Sequence, residues 1–190
     1  MKLDSARLIP KSAGYSIASS NGVLDATLLS IASEYRTNIS RKYITLPLRE
    51  VAQKFVNATN NVLVSTKEDG EAVFVYFDTS EETKIFAFNA PSGRVRVGLP
   101  CLASALEQLQ AAGHKKGLLV AELFLRAEKR TTVGDVITAS FRGNEKDQDA
   151  LSLAFYDIIM LDGIDWRKNG TDFAKTWAKL GTFKATNARR

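Results

Sequence analysis

The fold class is decided first by one β-rich stretch, Ala72-Val73-Phe74-Val75-Tyr76-Phe77. A short run of β-branched and aromatic side chains is typical of a buried strand. Two more short strands are predicted at residues 85–88 and 94–97, on either side of a turn that contains Pro91 and Gly93. Because strands joined by tight turns pair with one another, the three segments predict part of an antiparallel sheet.

Apolar runs and apolar spacings extend this prediction to the rest of the chain. Continuous apolar runs predict strands, whereas apolar residues repeated every three or four positions predict helices. Further strands are predicted at residues 62–65, 118–125 and 151–160, and helices at 23–36, directly after Pro47, at 102–112 and at 172–180. The segments predicted to be irregular are residues 1–22, a turn at 57–61 and a surface loop at 142–149.

This arrangement indicates an α+β fold with mainly antiparallel sheets flanked by helices. The chain has 190 residues, which suffice for one domain with a substantial core. We expect residues 1–60 to form a helical N-terminal segment that packs on a core made by residues 61–190.

Composition narrows the classes of function. Lys and Arg number 26 against 21 Asp and Glu, and the resulting net charge of +5 favours a polyanionic partner. The chain has one cysteine, Cys101, which excludes an internal disulfide and fits a reducing cytoplasm. The single histidine, His114, argues against a zinc site and against a Ser/His/Asp triad.

Membrane insertion is not expected. The longest apolar stretch, residues 151–164, is interrupted by Asp157 and Asp162 and is too short to cross a bilayer. The N-terminal residues contain no apolar segment of the kind found in signal peptides. We therefore expect a cytoplasmic protein, or a nuclear one if the source is a eukaryote.

The segment most informative about chemistry is Lys67-Glu68-Asp69-Gly70, between two predicted strands. A lysine in such a turn can lie at the mouth of a pocket, the glycine allows a sharp reversal, and the aspartate can orient the turn or a cation. On spacing alone, the alternative is a polar hairpin turn with a solvated lysine, because short motifs often occur by chance.

Two acids interrupt the apolar strands. Glu122 stands alone within the run 118–125, and burying its carboxylate costs free energy unless the group is paired or bound to a metal. The alternative is a strand-edge position where Glu122 reaches water. Asp157 follows Tyr156 in the other run, where an aromatic ring beside an acid can stack on a base. The alternative for Tyr156 is a place in the core.

In this order along the chain, these residues resemble the ATP-dependent DNA and RNA ligase superfamily of covalent nucleotidyltransferases, which also includes the mRNA capping guanylyltransferases. The first family motif, Lys-x-Asp-Gly, is similar to Lys67-Glu68-Asp69-Gly70. Three later motifs resemble Arg96-Val97-Gly98, Ala121-Glu122-Leu123 and the segment at residues 153–163. The resemblance covers residues 62–163, which is over half of the chain.

The resemblance implies an adenylation domain that uses ATP and Mg²⁺. Lys67 would be the catalytic residue that receives AMP as a covalent lysyl-AMP. Tyr156 would stack on adenine, Arg96 would contact the ribose or the substrate end, and Glu122 would contact the ribose or hold the metal. The residues implied in nucleotide binding are Thr66, Lys67, Asp69, Arg96, Glu122 and Tyr156.

The implied function is that of an ATP-dependent DNA ligase, which passes AMP to a 5′-phosphate and seals nicks in duplex DNA. An RNA ligase remains open, because Lys-Glu-Asp-Gly is also similar to some RNA ligases. A non-catalytic nucleotide or nucleic-acid binding module with a ligase-like fold is a further alternative. It is favoured by Ser65 and Ala72, which stand where the family often has Glu and Arg.

Two family motifs are not found after Gly163, namely a Glu-Gly metal motif and a pair of lysines that grips the α-phosphate. By the resemblance, the chain therefore corresponds to an adenylation domain that is incomplete at its C-terminal side. The expected partners are nicked duplex DNA or RNA and an OB-fold segment of the same protein.

Overall fold

The computed structural model describes residues 2–11, 14–42, 46–55, 67–127, 131–167 and 173–183. Within these residues, eight strands form one sheet. They are β1 (Ile9–Pro10), β2 (Ser16–Ala18), β3 (Glu71–Asp78), β4 (Ile85–Asn89), β5 (Arg94–Val97), β6 (Lys116–Leu125), β7 (Leu151–Leu161) and β8 (Ile164–Asp165). The order across the sheet is β1-β2-β5-β4-β3-β6-β7-β8, and each neighbouring pair is antiparallel.

Six α-helices accompany the sheet in the described ranges. They are α1 (Ala26–Asn38), α2 (Leu48–Phe55), α3 (Pro100–Ala111), α4 (Val133–Arg142), α5 (Glu145–Asp149) and α6 (Phe173–Leu180). Asp25 starts α1, because its carboxylate accepts a hydrogen bond of 2.9 Å from the backbone N–H of Leu28. The predicted α+β class, with an antiparallel sheet flanked by helices, is confirmed. None of the helices in these ranges is long and apolar enough to cross a membrane.

The sheet separates two hydrophobic cores. Neighbouring side chains of a strand point to opposite faces, so β3 contributes to both cores. Val73 and Val75 pack with residues of α3, α4 and α6, on what we call the α3 face. Phe74 and Tyr76 pack with residues of α1, on what we call the α1 face. Each side chain of β3 therefore points either to the α1 face or to the α3 face.

The predicted loop at residues 142–149 is wrong. This segment contains α5, and the helix that precedes it, α4, was not predicted. Each helix begins with a capping box, formed by Thr132 with Asp135 in α4 and by Asn144 with Asp147 in α5. α5 has five residues, which is too short for a helical repeat of apolar side chains to be recognisable.

The N-terminal segment is also more regular than predicted. Residues 1–22 were predicted to be irregular, but they contain β1 and β2. β2 pairs with β5, where Ile17 lies opposite Arg96, so residues from both sides of the proposed boundary at residue 60 share one sheet. The boundary itself stays a prediction. The predicted turn at 57–61 and the predicted strand at 62–65 lie outside the described residues.

Candidate functional site

The turn that carries Lys67 leads directly into β3. The side chain of Lys67 is 85% exposed, and its Nζ lies 3.3 Å from Oδ1 of Asp69. Gly70 is buried, and its backbone N–H donates a hydrogen bond of 3.0 Å to Oε1 of Glu122 on β6. The backbone of the turn is therefore attached to the sheet, while the amine of Lys67 stays accessible to solvent.

Gly70 allows the turn to approach β6 closely. A Cβ atom at this position would lie 2.2 Å from the backbone carbonyl oxygen of Leu123, which is far shorter than any van der Waals contact. The sequence suggested that this glycine permits a sharp reversal of the chain. The structure supplies a different reason for it, since a backbone contact leaves no space for a side chain.

Glu122 is half-buried beside this turn. Burial raises the pKa of its carboxyl group, whereas the N–H of Gly70 and the positive charge of Lys67 lower it. The negative charges of Asp69 and Glu71 raise it again. The turn therefore brings three charged groups into electrostatic interaction, those of Lys67, Asp69 and Glu122. Lys67 and Glu122 are 55 positions apart in the chain.

Tyr156 is an extra residue in β7. Ala121 of β6 pairs with Phe155, but the next residue, Val120, pairs with Asp157, so the strand forms a β-bulge at Tyr156. Residues paired across an antiparallel ladder point to the same face. Phe155 accordingly packs on the α3 face, whereas Tyr156 packs on the α1 face. The bulge thus directs Tyr156 away from the core that contains its neighbour.

A cleft of about 520 Å³ lies beside the start of β3, where residues of both faces line it, and Tyr35, Gly70 and Tyr156 are among its lining residues. This volume is within the range of small-molecule sites, which is roughly 300–1,000 Å³. Glu122 does not line the cleft itself, but it binds Gly70, which does. The Lys67 turn and the aromatic ring of Tyr156 therefore adjoin one cavity.

Arg96 lies on the α3 face of the sheet, whereas Tyr156 lies on the α1 face. Its side chain is 0% exposed, and its Nη2 forms an ion pair with Glu71. Its Nε donates to Oγ of Ser140 at 2.9 Å and its Nη1 to Oδ1 of Asn89 at 3.1 Å. The guanidinium also lies 4.6 Å from the ring centroid of Phe141. Burial lowers the pKa of Arg96, and the charge of Glu71 opposes this effect.

The structure brings three of the predicted site residues together, namely Lys67, Asp69 and Glu122, and places Tyr156 in the adjoining cleft. It does not bring Arg96 to them. A contact between Arg96 and the ribose or the substrate end stays a prediction, and it would require Arg96 to release its present partners. Thr66 lies outside the described residues.

Several residues of this region were not singled out from the sequence. Glu71 directly follows the lysine turn, and its pairing with Arg94 and Arg96 is signalled by two arginines at alternate positions of one strand. Tyr35 and Arg36 reach the cleft from α1. The sequence carries no signal for this second pair, because the contact joins segments that are far apart in the chain.

The comparisons with known proteins do not assign this protein to a class. No protein-family model matches the chain, and no curated protein matches it. The described residues form an α+β protein with one antiparallel sheet and a cleft beside a turn with an exposed lysine.

Tyr35 holds the bulged strand through a hydrogen bond from its hydroxyl group to Oδ2 of Asp157. Burial raises the pKa of Asp157, and the bond from Tyr35 opposes this rise. A carboxyl group with a raised pKa in the folded state binds more protons than in the unfolded state, so its contribution to stability decreases as pH rises through the folded pKa. The bond from Tyr35 limits this decrease, because it favours the ionised carboxylate.

We expect Tyr35→Phe to lower the free energy of unfolding by about 1–3 kcal/mol at pH 7. The loss should be smaller at pH 4, where a larger fraction of Asp157 is protonated. Urea unfolding at the two pH values measures both quantities. Tyr15→Phe is the matched control, because the hydroxyl of Tyr15 donates to the neutral carbonyl of Gly143, and its loss should not change between these pH values. Equal losses for Tyr35→Phe at both pH values would contradict the role given to Asp157.

Proposed function

We propose that this chain is the nucleotide-binding core of an ATP-dependent polynucleotide ligase in which Lys67 becomes covalently adenylated. The proposal rests mainly on the hydrogen bond between Gly70 and Glu122, because it joins the turn of Lys67 to the acid on β6. Gly70 also lines the cleft that contains Tyr156. A nucleotide in this cleft would have an aromatic wall for its base and an accessible amine nearby.

The chemistry requires an amine that can reach a phosphorus atom. In the first step, Nζ of Lys67 gives its proton to solvent and attacks the α-phosphorus of ATP. The new N–P bond forms while the P–O bond to pyrophosphate breaks, and pyrophosphate leaves. In the second step, an oxygen of a 5′-phosphate on a nucleic-acid strand attacks the same phosphorus. The N–P bond then breaks, and its electron pair returns to Lys67.

The oxygen donors beside Lys67 fit a magnesium ion bound together with ATP. Mg²⁺ is usually held by one or two carboxylates and by substrate phosphates. Glu122 is the candidate ligand, and Asp69 is the second carboxylate of this turn. Magnesium there would neutralise charge on the α-phosphate. In the described parts of the chain, no three His, Cys, Asp or Glu residues group as a metal site, so phosphates and water would complete the coordination.

A second candidate function is nucleotide or nucleic-acid binding without covalent chemistry. The burial of Arg96 favours it, because this side chain is engaged by Glu71, Asn89 and Ser140 on the opposite face from Tyr156. A protein of this kind would bind ATP in the cleft and transfer nothing to Lys67. The two functions differ in one measurable product, which is the covalent lysyl-AMP.

The test is to incubate the chain with α-labelled ATP and Mg²⁺ and to look for acid-labile label on the protein. We expect label on the wild-type chain and none on Lys67→Ala. The substitution should leave the fold unchanged, because the side chain of Lys67 is 85% exposed. Lys84→Ala is the matched control, since Lys84 is also exposed and precedes β4 at the far end of β3. This variant should keep its label.

The outcomes separate the candidates. Label that survives Lys67→Ala contradicts the proposed nucleophile. ATP binding without label, both in this chain and in any longer natural chain that contains it, selects the non-catalytic module. If label forms, nicked duplexes of DNA and of RNA with a 5′-phosphate show which nucleic acid receives the AMP.

A further inference from the structure

The cleft beside the start of β3 has an excess of positive charge. Three arginines are among its lining residues, namely Arg36, Arg41 and Arg94. Glu71 is the acid among the described lining residues, and it already forms ion pairs with Arg94 and with the buried Arg96. A cleft with charge of one sign and low-dielectric walls concentrates its field on a ligand. The lining therefore favours an anion.

Two of these arginines precede residues 62–163, the part of the chain that resembles the ligases. Arg36 lies in the last turns of α1, and Arg41 lies in the short 3-10 helix Ser40–Lys42 that follows it. Nη1 of Arg36 donates a hydrogen bond of 2.6 Å to the carbonyl oxygen of Ala90, in the turn between β4 and β5. This bond fixes the guanidinium at the wall of the cleft. Because a guanidinium has five N–H donors, this one bond leaves Arg36 with further donors for a ligand.

Arg41 is exposed to solvent at the same cleft. Among the described residues, no carboxylate lies within ion-pair distance of Arg41. Its charge is therefore not neutralised by a described acid. Arginine binds phosphate through two parallel N–H···O bonds, which makes it well suited to a phosphate chain.

Other lining side chains fit the remaining parts of a nucleotide. Tyr156 supplies a partly exposed aromatic ring in the same cleft, and Ser40 and Ser92 supply hydroxyl groups. Aromatic rings stack on bases whatever the base sequence, and the energy of such stacking is considerable. A ligand with a flat ring at one end and several phosphates at the other would use both kinds of wall.

We propose that Arg36 and Arg41 bind the phosphate chain of the nucleotide that occupies this cleft. The inference rests on the proposed function in one respect, which is that the ligand is a nucleotide. It gives the end of α1 the task of binding the phosphates. The N-terminal segment is then part of the binding site and not only a support for the sheet.

The experiment measures equilibrium binding of adenosine, ADP and ATP to the chain by calorimetry, in the absence of divalent metal. We expect Arg41→Ala to weaken ATP binding by about tenfold, which corresponds to the loss of one charge-assisted contact, and to leave adenosine binding unchanged. Arg36→Ala should act in the same direction, and Arg36→Lys should recover part of the affinity because it keeps the charge. Lys42→Ala is the control, since Lys42 is exposed, adjoins Arg41 and does not line the cleft.

Three results would overturn the inference. The first is a wild-type chain that does not bind ATP, and the second is an ATP affinity that neither arginine substitution changes. The third is an equal loss of affinity for adenosine and ATP, because it would indicate a general effect on the fold. Oligonucleotides with a 5′-phosphate or a 5′-hydroxyl group form a further arm. If the substitutions weaken the phosphorylated strand but not ATP, the arginines bind nucleic acid and the inference is wrong.

Failure of this inference can be told from failure of the proposed function. ATP binding that depends on Arg36 and Arg41, without label on Lys67, keeps the phosphate contacts and rejects the ligase chemistry. The opposite result is label on Lys67 together with an ATP affinity that the arginine variants do not change. It would keep the ligase chemistry and reject the phosphate contacts of Arg36 and Arg41.

Discussion

Gly70→Ala is expected to lower the free energy of unfolding by about 3 kcal/mol and to abolish any adenylation of Lys67. The added Cβ would lie 2.2 Å from the carbonyl oxygen of Leu123, and neither backbone can move without disturbing the pairing of β3 with β6. The displaced turn would also withdraw its N–H from Glu122, which would leave a half-buried carboxylate without this donor. Stability and covalent chemistry should therefore fall together.

Urea unfolding and the label assay measure the two effects. Gly134→Ala is the matched control, because a Cβ atom there would meet Oγ1 of Thr132 at 3.5 Å, an ordinary contact. Gly134 lies in α4, where alanine is the better helix former by up to about 1 kcal/mol, so the control should not lose stability. If Gly70→Ala proves as stable as Gly134→Ala, the close approach of the turn to β6 is not as described.

Arg96→Met is expected to cost about 3–5 kcal/mol, which is the range for removing one partner of a buried ion pair. The substitution leaves Arg94 as the ion-pair partner of Glu71. It also removes the hydrogen bonds that Ser140 and Asn89 accept from Arg96. Arg94→Met is the comparison, because the side chain of Arg94 is 33% exposed. Its loss should be nearer 1 kcal/mol, since partly solvated ion pairs contribute little.

This prediction separates a structural role from a ligand contact. If Arg96 holds β5, β3 and α4 together, Arg96→Met lowers stability whether or not nucleotide is present. If Arg96 instead contacts the ribose, the variant should keep its stability and lose nucleotide affinity. A double variant with Glu71→Gln tests the pairing, because the two losses should be less than additive for residues in direct contact.

Much of the sheet could be predicted from apolar runs. The predicted strand at residues 94–97 has the observed bounds of β5, and the prediction at 151–160 differs from β7 by one residue. The runs at residues 118–125 and 151–160 are recognisable because both faces of the sheet are covered there, so most successive side chains are apolar, whereas residues 94–97 alternate between arginine and valine. α5 was missed because it has five residues, and β1 and β2 because each has at most three. α4 did have a signal in the sequence, because Thr132 and Asp135 match a capping box and the apolar residues that follow have helical spacing.

The site was less predictable than the sheet. Spacing identified the lysine turn and Glu122, and their contact through Gly70 follows from the pairing of β3 with β6. Spacing could not show that Arg96 is buried against Ser140, because that contact depends on how α4 packs on the sheet. It also could not show that Arg36 and Arg41 reach the cleft, since no local pattern records which helix covers which face.

Tyr156 is the extra residue of a β-bulge, so it lies outside the residue-by-residue pairing of β7 with β6. β7 has 11 residues, of which nine are paired with β6, and the two additional residues are Tyr156 and Ile159. Removing Tyr156 would join Phe155 to Asp157 as consecutive rungs and would turn no neighbour over, whereas deleting most other residues of β7 would invert everything beyond the deletion. The ring that faces the cleft therefore belongs to a residue that the pairing of β7 with β6 does not use. Substitution of Tyr156 would change the wall of the cleft without altering the register of β7 against β6.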